Sequence, residues 1–241
     1  MARRVRDGYY TGSLLPSEPQ LMVEFGLSRP MVRLAMDVLR AQGLVVTEHG
    51  RGTFVPPKLP VRRMASSRYR VDAAAAATGG EPATSFTADQ GITWEQYRLD
   101  KEFAEVPAPG EVAELLGVAE GSALLRRDFV FWSKGYPQQM SASYLLWDLV
   151  AGTPVADPER EPWPGGTIGQ LATLGVVVTA VEEQVGTRMP TAHEADTLRI
   201  PPGVPVLTIT RRMLAGERPM EVAADIVIPG DRGTLDYRID L

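Results

Sequence analysis

The stretch from Leu15 to Val55, LPSEPQLMVEFGLSRPMVRLAMDVLRAQGLVVTEHGRGTFV, constrains the fold more than any other part of the chain. Its hydrophobic period changes from helical to β within a short run. Ser17 followed three residues later by Gln20 is a capping-box start. Leu21, Met22 and Phe25 then form the apolar face of a short helix that Gly26 closes in a left-handed conformation. Leu27 turns the chain. Ser28 caps a second helix carrying Val32, Ala35, Met36 and Leu39 at helical spacing, and Gly43 ends it. Two helices separated by so short a turn are a helix-turn-helix.

After Gly43 the β-rich runs Leu44–Thr47 and Thr53–Val55 flank Glu48-His49-Gly50-Arg51-Gly52, a hairpin with a basic, glycine-rich tip. The pair reads as a wing. On the second helix the apolar positions leave Arg29, Met31, Arg33 and Asp37 on the outer face near its N-terminus, the end of a recognition helix that reaches base edges in the major groove. An arginine there can pair bidentately with guanine, worth about 1–3 kcal/mol of discrimination.

These helices and wing resemble the GntR family of bacterial repressors, whose usual run is close to LPSER-LA-FGVSR-TVR-AL--L---GLV---G-GTFV. The resemblance implies that Ser28, Arg29, Met31 and Arg33 take the family's DNA-contact positions and that His49 and Gly50 take the wing tip entering the minor groove, with Arg51 beside them on phosphate. Three departures stand out. Pro19 replaces the family's arginine after LPSE. Met31 replaces a threonine, so it cannot hydrogen-bond a phosphate but can touch a thymine methyl. Only Met1 to Leu14 precede the LPSE run, where the family has a longer helix, so a translation start upstream is expected, with that helix covering Leu21, Phe25 and Val38.

The formal net charge of −5 runs against DNA binding until it is split along the chain. Met1 to Arg68 holds 11 Lys and Arg against 5 Asp and Glu, whereas the remainder holds 14 against 25. The phosphate-attracting field therefore sits on the winged helix, and the larger part is acidic. The chain has no cysteine, and its two histidines, His49 and His193, lie far apart, which argues against a disulfide framework, a structural zinc site or any cofactor held by thiolates. No apolar run reaches the ~20 residues of a membrane span and no signal-peptide core follows Met1, so no membrane partner and a cytoplasmic location are expected. The reading is residues 1–57 as the DNA-binding domain, 58–90 as a linker broken by prolines, a Gly-Gly pair and an alanine run, and 91–241 as a second domain.

The second domain contains an internal repeat. A shift of 82 residues lays Ala113 on Ala195, Leu116 on Leu198, Gly121 on Gly203, Leu125 on Leu207 and Pro137 on Pro219, and Tyr144-Leu145-Leu146 on Ile226-Val227-Ile228. Each copy reads helix, glycine turn, strand, turn, strand, which implies an α+β domain with an antiparallel sheet and its helices on one side. Between the copies, Gly169–Leu174 reads as a short helix and Val176–Val185 as a strand. The order LLRRDFVFW, SASYLLWDL, GGTIGQLATLG, VEEQVGTRMPTAHEADTL, PPGVPVLTITRR and RPMEVAADIVIPGDR resembles the UTRA effector-binding domain of the HutC branch of the GntR family, and the composition is similar to that of actinomycete members. The resemblance implies a chorismate lyase-like fold, a homodimer paired through this domain, and a pocket between the copies for a small-molecule effector. It also implies pocket roles for Arg126 and Arg127 toward an anionic group, for Ser143 and Tyr144 on the partner strand, and for Glu221 and Arg188 nearby. Each of these also reads as an ordinary residue of an amphipathic strand, solvated or cross-strand paired.

The expected function is a ligand-responsive regulator, a repressor released from pseudo-palindromic double-stranded operator DNA by a small effector. Two alternatives stay open: a UTRA-fold enzyme acting on a small acid, against which stands the lack of a cysteine nucleophile, a histidine beside a carboxylate motif, a glycine-rich phosphate loop or metal-ligand spacing, and a ligand-independent dimeric DNA-binding protein.

Overall fold

The computed structural model describes residues 1–10, 14–48, 52–55, 62–65, 67–78 and 82–237. The chain forms two units, Met1–Pro60 with Met189–Pro205, and Val61–Arg188 with Val206–Leu241.

The first unit begins with α1 (Ala2–Arg6), α2 (Glu18–Phe25) and α3 (Arg29–Ala41), followed by β1 (Val46–Glu48) and β2 (Gly52–Phe54). The start of α2 is the capping box read from sequence, with the Ser17 amide donating to Gln20 Oε1 at 2.8 Å. Gly26 ends α2 at φ +65°, the left-handed region where a glycine carries no Cβ penalty. Ser28 occupies the N-cap of α3, but its hydroxyl makes no capping bond. β1 and β2 pair antiparallel, and Leu14 bridges to Phe54. The core gathers Val5, Tyr10, Leu15, Leu21, Val32, Met36, Leu39, Val45 and Val55. The short α1 and the turn after it bury Leu21, while Val38 and Leu34 on α3 remain exposed. His49, Gly50 and Arg51 lie outside the described residues.

The second unit contains β3 (Arg62–Ala65), α4 (Tyr69–Thr78), α5 (Ser85–Gln90), β4 (Tyr97–Pro107), α6 (Gly110–Leu116), β5 (Ala123–Ser133), β6 (Tyr136–Leu146), α7 (Trp147–Val150), α8 (Gly166–Thr173) and β7 (Ala180–Arg188). After the segment Met189–Pro205, which carries α9 (Ala192–Leu198) and groups with the first unit, the chain continues as β8 (Val206–Ala215), β9 (Arg218–Pro229) and β10 (Gly233–Asp236). The main sheet has six antiparallel strands in the order β4-β5-β6-β9-β8-β7. The repeat is visible in that order. The hairpins β5-β6 and β9-β8 meet at the centre, flanked by β4 and β7, so the strand order is symmetric about the β6-β9 pair.

Alternation along each strand assigns side chains to faces. One face carries Leu124, Tyr144 and Val222, which pack with Val112, Ala113 and Leu116 of α6. The other carries Leu125 and Leu145, packed with Val150 of α7 and Leu171 of α8. Helices thus cover both faces, not the single side expected. Residues 58–90 also differ from the linker expected. β3 pairs in parallel with β10, and α4 packs on α8. Arg68 meets Asp89 at 2.7 Å with both side chains under a tenth exposed, and Asp72 accepts from the Ser85 amide at 2.6 Å. Among the described residues, no helix is long and apolar enough to cross a membrane.

Candidate functional site

On the first unit, the outer face of α3 presents Arg29, Met31 and Arg33, with Met31 51% exposed. Both guanidinium groups are held by one acid from the first turn of α2. Arg29 Nε donates to Glu18 Oε2 at 3.0 Å and Arg33 Nε to Glu18 Oε1 at 3.1 Å. Hydrogen bonds from Arg29 and then Arg33 hold the Glu18 carboxyl below its ordinary range. Both arginine side chains nevertheless stay more than half exposed, at 63% and 60%. Further along the helix, Arg40 pairs with Asp37 and donates to Thr47 Oγ1 on β1. Glu18→Gln is therefore expected to lower affinity for a selected operator by up to about tenfold, while affinity for random duplex holds or rises because one charge repelling phosphate is gone. Fluorescence anisotropy on the two duplexes reads the difference.

On the second unit, a cavity of about 80 Å³ opens on the face opposite α6. Both hairpins contribute: Phe129, Phe131, Gln139, Ser141 and Ser143 from β5-β6, and Arg211, Met213 and Ile226 from β8-β9. Segments outside the repeat close it, with Asp72 from α4, Thr84 to Phe86 at the start of α5, Tyr97 and Leu99 from β4, and Glu161, Trp163, Gly166 and Thr167 around the start of α8. The pocket expected between the two copies thus takes its floor from both and its walls from neither.

Behind the cavity runs a continuous polar chain. Arg127, fully buried, donates through Nη1 to Gln170 Oε1 at 2.6 Å and through Nη2 to Ser143 Oγ at 2.7 Å and Thr167 Oγ1 at 3.2 Å. Ser143 Oγ donates in turn to Glu221 Oε1 at 2.8 Å, and Arg211 Nη2 donates to the same oxygen at 2.6 Å. Gln170 Nε2 reaches Glu161 Oε1 at 2.7 Å, whose other oxygen accepts from the Trp163 amide. Burial depresses the Arg127 pKa, with Glu161 and Glu221 opposing it. Burial also works against the Arg211 charge, but Glu221 and Tyr69 outweigh it and raise the pKa above its ordinary value.

Of the effector candidates, Ser143 lines the cavity, and Arg127 and Glu221 stand behind it in one network with it. The other three lie elsewhere. Arg126 faces the α6 side and pairs with Asp128 at 2.8 Å. Tyr144 is buried on that same side among Leu124 and Val222. Arg188, at the end of edge strand β7, lies 3.5 Å from Asp225. For Arg126 and Tyr144 the reason is pleating: each neighbours a cavity-face residue and must point the other way. Arg211 and Asp72 were not anticipated. A signal for Arg211 exists, since the 82-residue shift lays it on Phe129 and extends the alternation Leu207, Ile209, Arg211, Met213. Asp72 precedes an alanine run and carries none.

Asp72 is 4% exposed, and burial pushes its carboxyl up to about 6, with the Ser85 hydrogen bonds opposing. A pKa raised on folding means that the native state holds the proton more tightly, so this group makes the protein less stable as pH rises from about 4 to about 6. Asp72→Asn, which keeps an acceptor for Ser85, is expected to add roughly 1–2 kcal/mol of stability at pH 7.5 and nothing at pH 4. Urea unfolding at the two pH values tests it, and an equal effect at both would contradict the buried charge.

Comparison with known proteins agrees with both units. The UTRA domain family matches residues 101–232, and the gntR family of bacterial regulatory proteins matches residues 3–55. An uncharacterised HTH-type transcriptional regulator of Streptomyces coelicolor is 31% identical over 87% of this chain and 78% of its own length. The histidine utilization repressor of Pseudomonas putida is 30% identical over 93% of this chain and 82% of its own. A solved GntR-family transcriptional regulator aligns over 99% of this chain and 94% of its own, at 31% identity and a TM-score of 0.65. On these matches the chain belongs to the GntR family of bacterial regulatory proteins, in its HutC-type branch with a UTRA domain.

Proposed function

We propose that this protein is a cytoplasmic, ligand-responsive repressor and not an enzyme. It binds a pseudo-palindromic operator as a homodimer and leaves it when a small effector enters the cavity over the UTRA sheet. Ser28, Arg29, Met31 and Arg33 read the operator from α3, with His49, Gly50 and Arg51 at the wing. One recognition helix spans only a few base pairs, so two are needed for a specific site, and a two-fold protein calls for a two-fold operator. The names of two relatives, a histidine utilization repressor and an HTH-type transcriptional repressor of Bacillus subtilis, support repression.

The observation that carries the switch is the position of Asp72. The cavity wall it provides belongs to α4, the first helix after Pro60, where the winged-helix part of the chain ends. α4 is tied to the sheet at its start, where Tyr69 donates to Glu183. A ligand that contacts this wall acts on the segment leading to the DNA-binding unit. It can release DNA only by favouring one arrangement of that segment over another.

The test is an operator recovered by in vitro selection, followed by gel shift of the full-length protein against a metabolite library, with mass spectrometry of each hit. Release by an unaltered compound supports the proposal. A protein that is monomeric by light scattering at micromolar concentration, a footprint without dyad symmetry, or no release by any compound that binds would overturn it.

A further inference from the structure

We infer that the cavity takes a small aromatic molecule bearing a protonated amine, held against Asp72 and Glu161, in place of the anionic effector that the arginines suggest in sequence. The inference rests on the reading of this cavity as the effector site.

The cavity's cations are already engaged. Arg211, on the cavity wall, already shares its charge with Glu221 at 2.6 Å. Arg127 gives its two terminal nitrogens to three neutral oxygens, is fully covered, and does not line the cavity. Lys101 donates to the main-chain oxygen of Glu161 at 2.9 Å. A phosphate or carboxylate would have to share Arg211 with Glu221 and lie against two more carboxylates of the wall, Asp72 and Glu161. The carboxylates are in the opposite position. Asp72 accepts from the Ser85 amide, and Glu161 accepts from the Gln170 side chain and the Trp163 amide, all neutral donors. Among the described residues neither acid has a cation within ion-pair distance, although Arg68 and Arg211 act on Asp72, and Arg127 on Glu161, from further away. Each carboxylate has about four acceptor sites, so both keep capacity. A buried carboxylate without a direct counter-ion, as Asp72 is, is costly, and a ligand ammonium lowers that cost.

The rest of the lining is aromatic. Phe86 lies 5.3 Å from Tyr97 and 5.2 Å from Phe131, Tyr97 and Phe131 stack at 6.3 Å, and Phe129 and Trp163 continue the wall. Ring faces carry negative potential, so this surface accepts a flat ring and a neighbouring cation but opposes an anion. Size agrees. With one water-sized group for every 10–15 Å³ or so, about 80 Å³ admits on the order of five to eight heavy atoms, one ring with a short arm.

Benzylamine, benzyl alcohol, benzoate and glucose 6-phosphate are the probes, titrated calorimetrically into full-length protein with melting temperature in parallel. Benzylamine is expected to bind at least about tenfold more tightly than the alcohol or benzoate. Asp72→Asn and Glu161→Gln should each collapse the preference of amine over alcohol while alcohol binding persists. The two variants guard against a folding defect in either one. Tighter binding of benzoate or glucose 6-phosphate, no binding of benzylamine at millimolar concentration, or an amine preference unchanged in both variants would overturn the inference. A sugar phosphate that binds here and releases the operator would sink the amine yet uphold the switch. Benzylamine binding with Asp72-dependent preference, in a protein that no bound compound releases from DNA, would uphold the cavity chemistry and sink the switch.

Discussion

Glu221→Ala is expected to destabilise the protein by about 3–5 kcal/mol, because it leaves Arg211 and Ser143 facing a buried gap without their shared acceptor. For a chain of this size that is a fall in melting temperature of roughly 6–20 °C. Glu221→Gln keeps the acceptor oxygens in part and should lose less. Calorimetry on the two variants checks the order, and a Glu221→Ala protein melting within about 2 °C of the parent would show that the network does not carry this load. The consequence for genetics is direct. A residue buried to 0% exposure that accepts from both Ser143 and Arg211 is a poor choice for a clean non-inducible mutant, since its loss reduces the amount of folded repressor as well as any response. Asp72→Asn and Glu161→Gln, at the cavity wall, separate the two effects better.

Arg33→Ala is expected to cost about 1–3 kcal/mol of discrimination between a selected operator and random duplex. It should weaken binding to random DNA only as far as one lost charge does, flattening the salt slope by about one unit or less. The residue stands on the open face of α3, beside the turn that holds Glu18, and its anchoring by that acid fixes where its remaining donors point. Competition titrations at two salt concentrations distinguish the outcomes. Equal losses on the two duplexes would remove Arg33 from base reading and make it a phosphate contact.

Asp72 connects stability with function. The fold keeps a charge there at a cost in stability near neutral pH, although an amide of the same shape could accept from Ser85 equally well. A group that destabilises the empty protein and faces a cavity is where a ligand gains most, because binding the charge recovers what folding gave up.

The winged helix was legible because its signals are local. The Ser17–Gln20 box, the glycine turn at Gly26 and the helical spacing of Val32, Met36 and Leu39 act within a few residues of themselves. The repeat was legible for a related reason: two copies of one unit repeat the same local pattern, and the sheet order follows from it. Strand β4 was harder to see, since its alternation of Tyr97, Leu99 and Phe103 is interrupted by Lys101, which turns inward to a main-chain oxygen. The stretch 58–90 reads as a linker because prolines, glycines and alanines carry no period. Its described residues find partners far along the chain, such as β10 for β3 and Glu183 for Tyr69. No local rule anticipates such pairings.

The sequence by itself determined the family, through its motifs, and the exposed arginines of α3 and the repeat of the second unit, through periods of 3.6 and 2 residues. The family resemblance named Arg127, Ser143 and Glu221, but alongside Arg126, Tyr144 and Arg188, which lie elsewhere. Only the tertiary structure decided what those residues are free to do. Whether an arginine can meet a ligand depends on which acceptors long-range packing brings to it. Here packing delivered Glu221 to Arg211 and Gln170 to Arg127, and among the described residues it gave Asp72 and Glu161 neutral donors as their direct partners. Charge composition is a property of the chain, but the charge a site offers is what remains after its own neighbours have been paired.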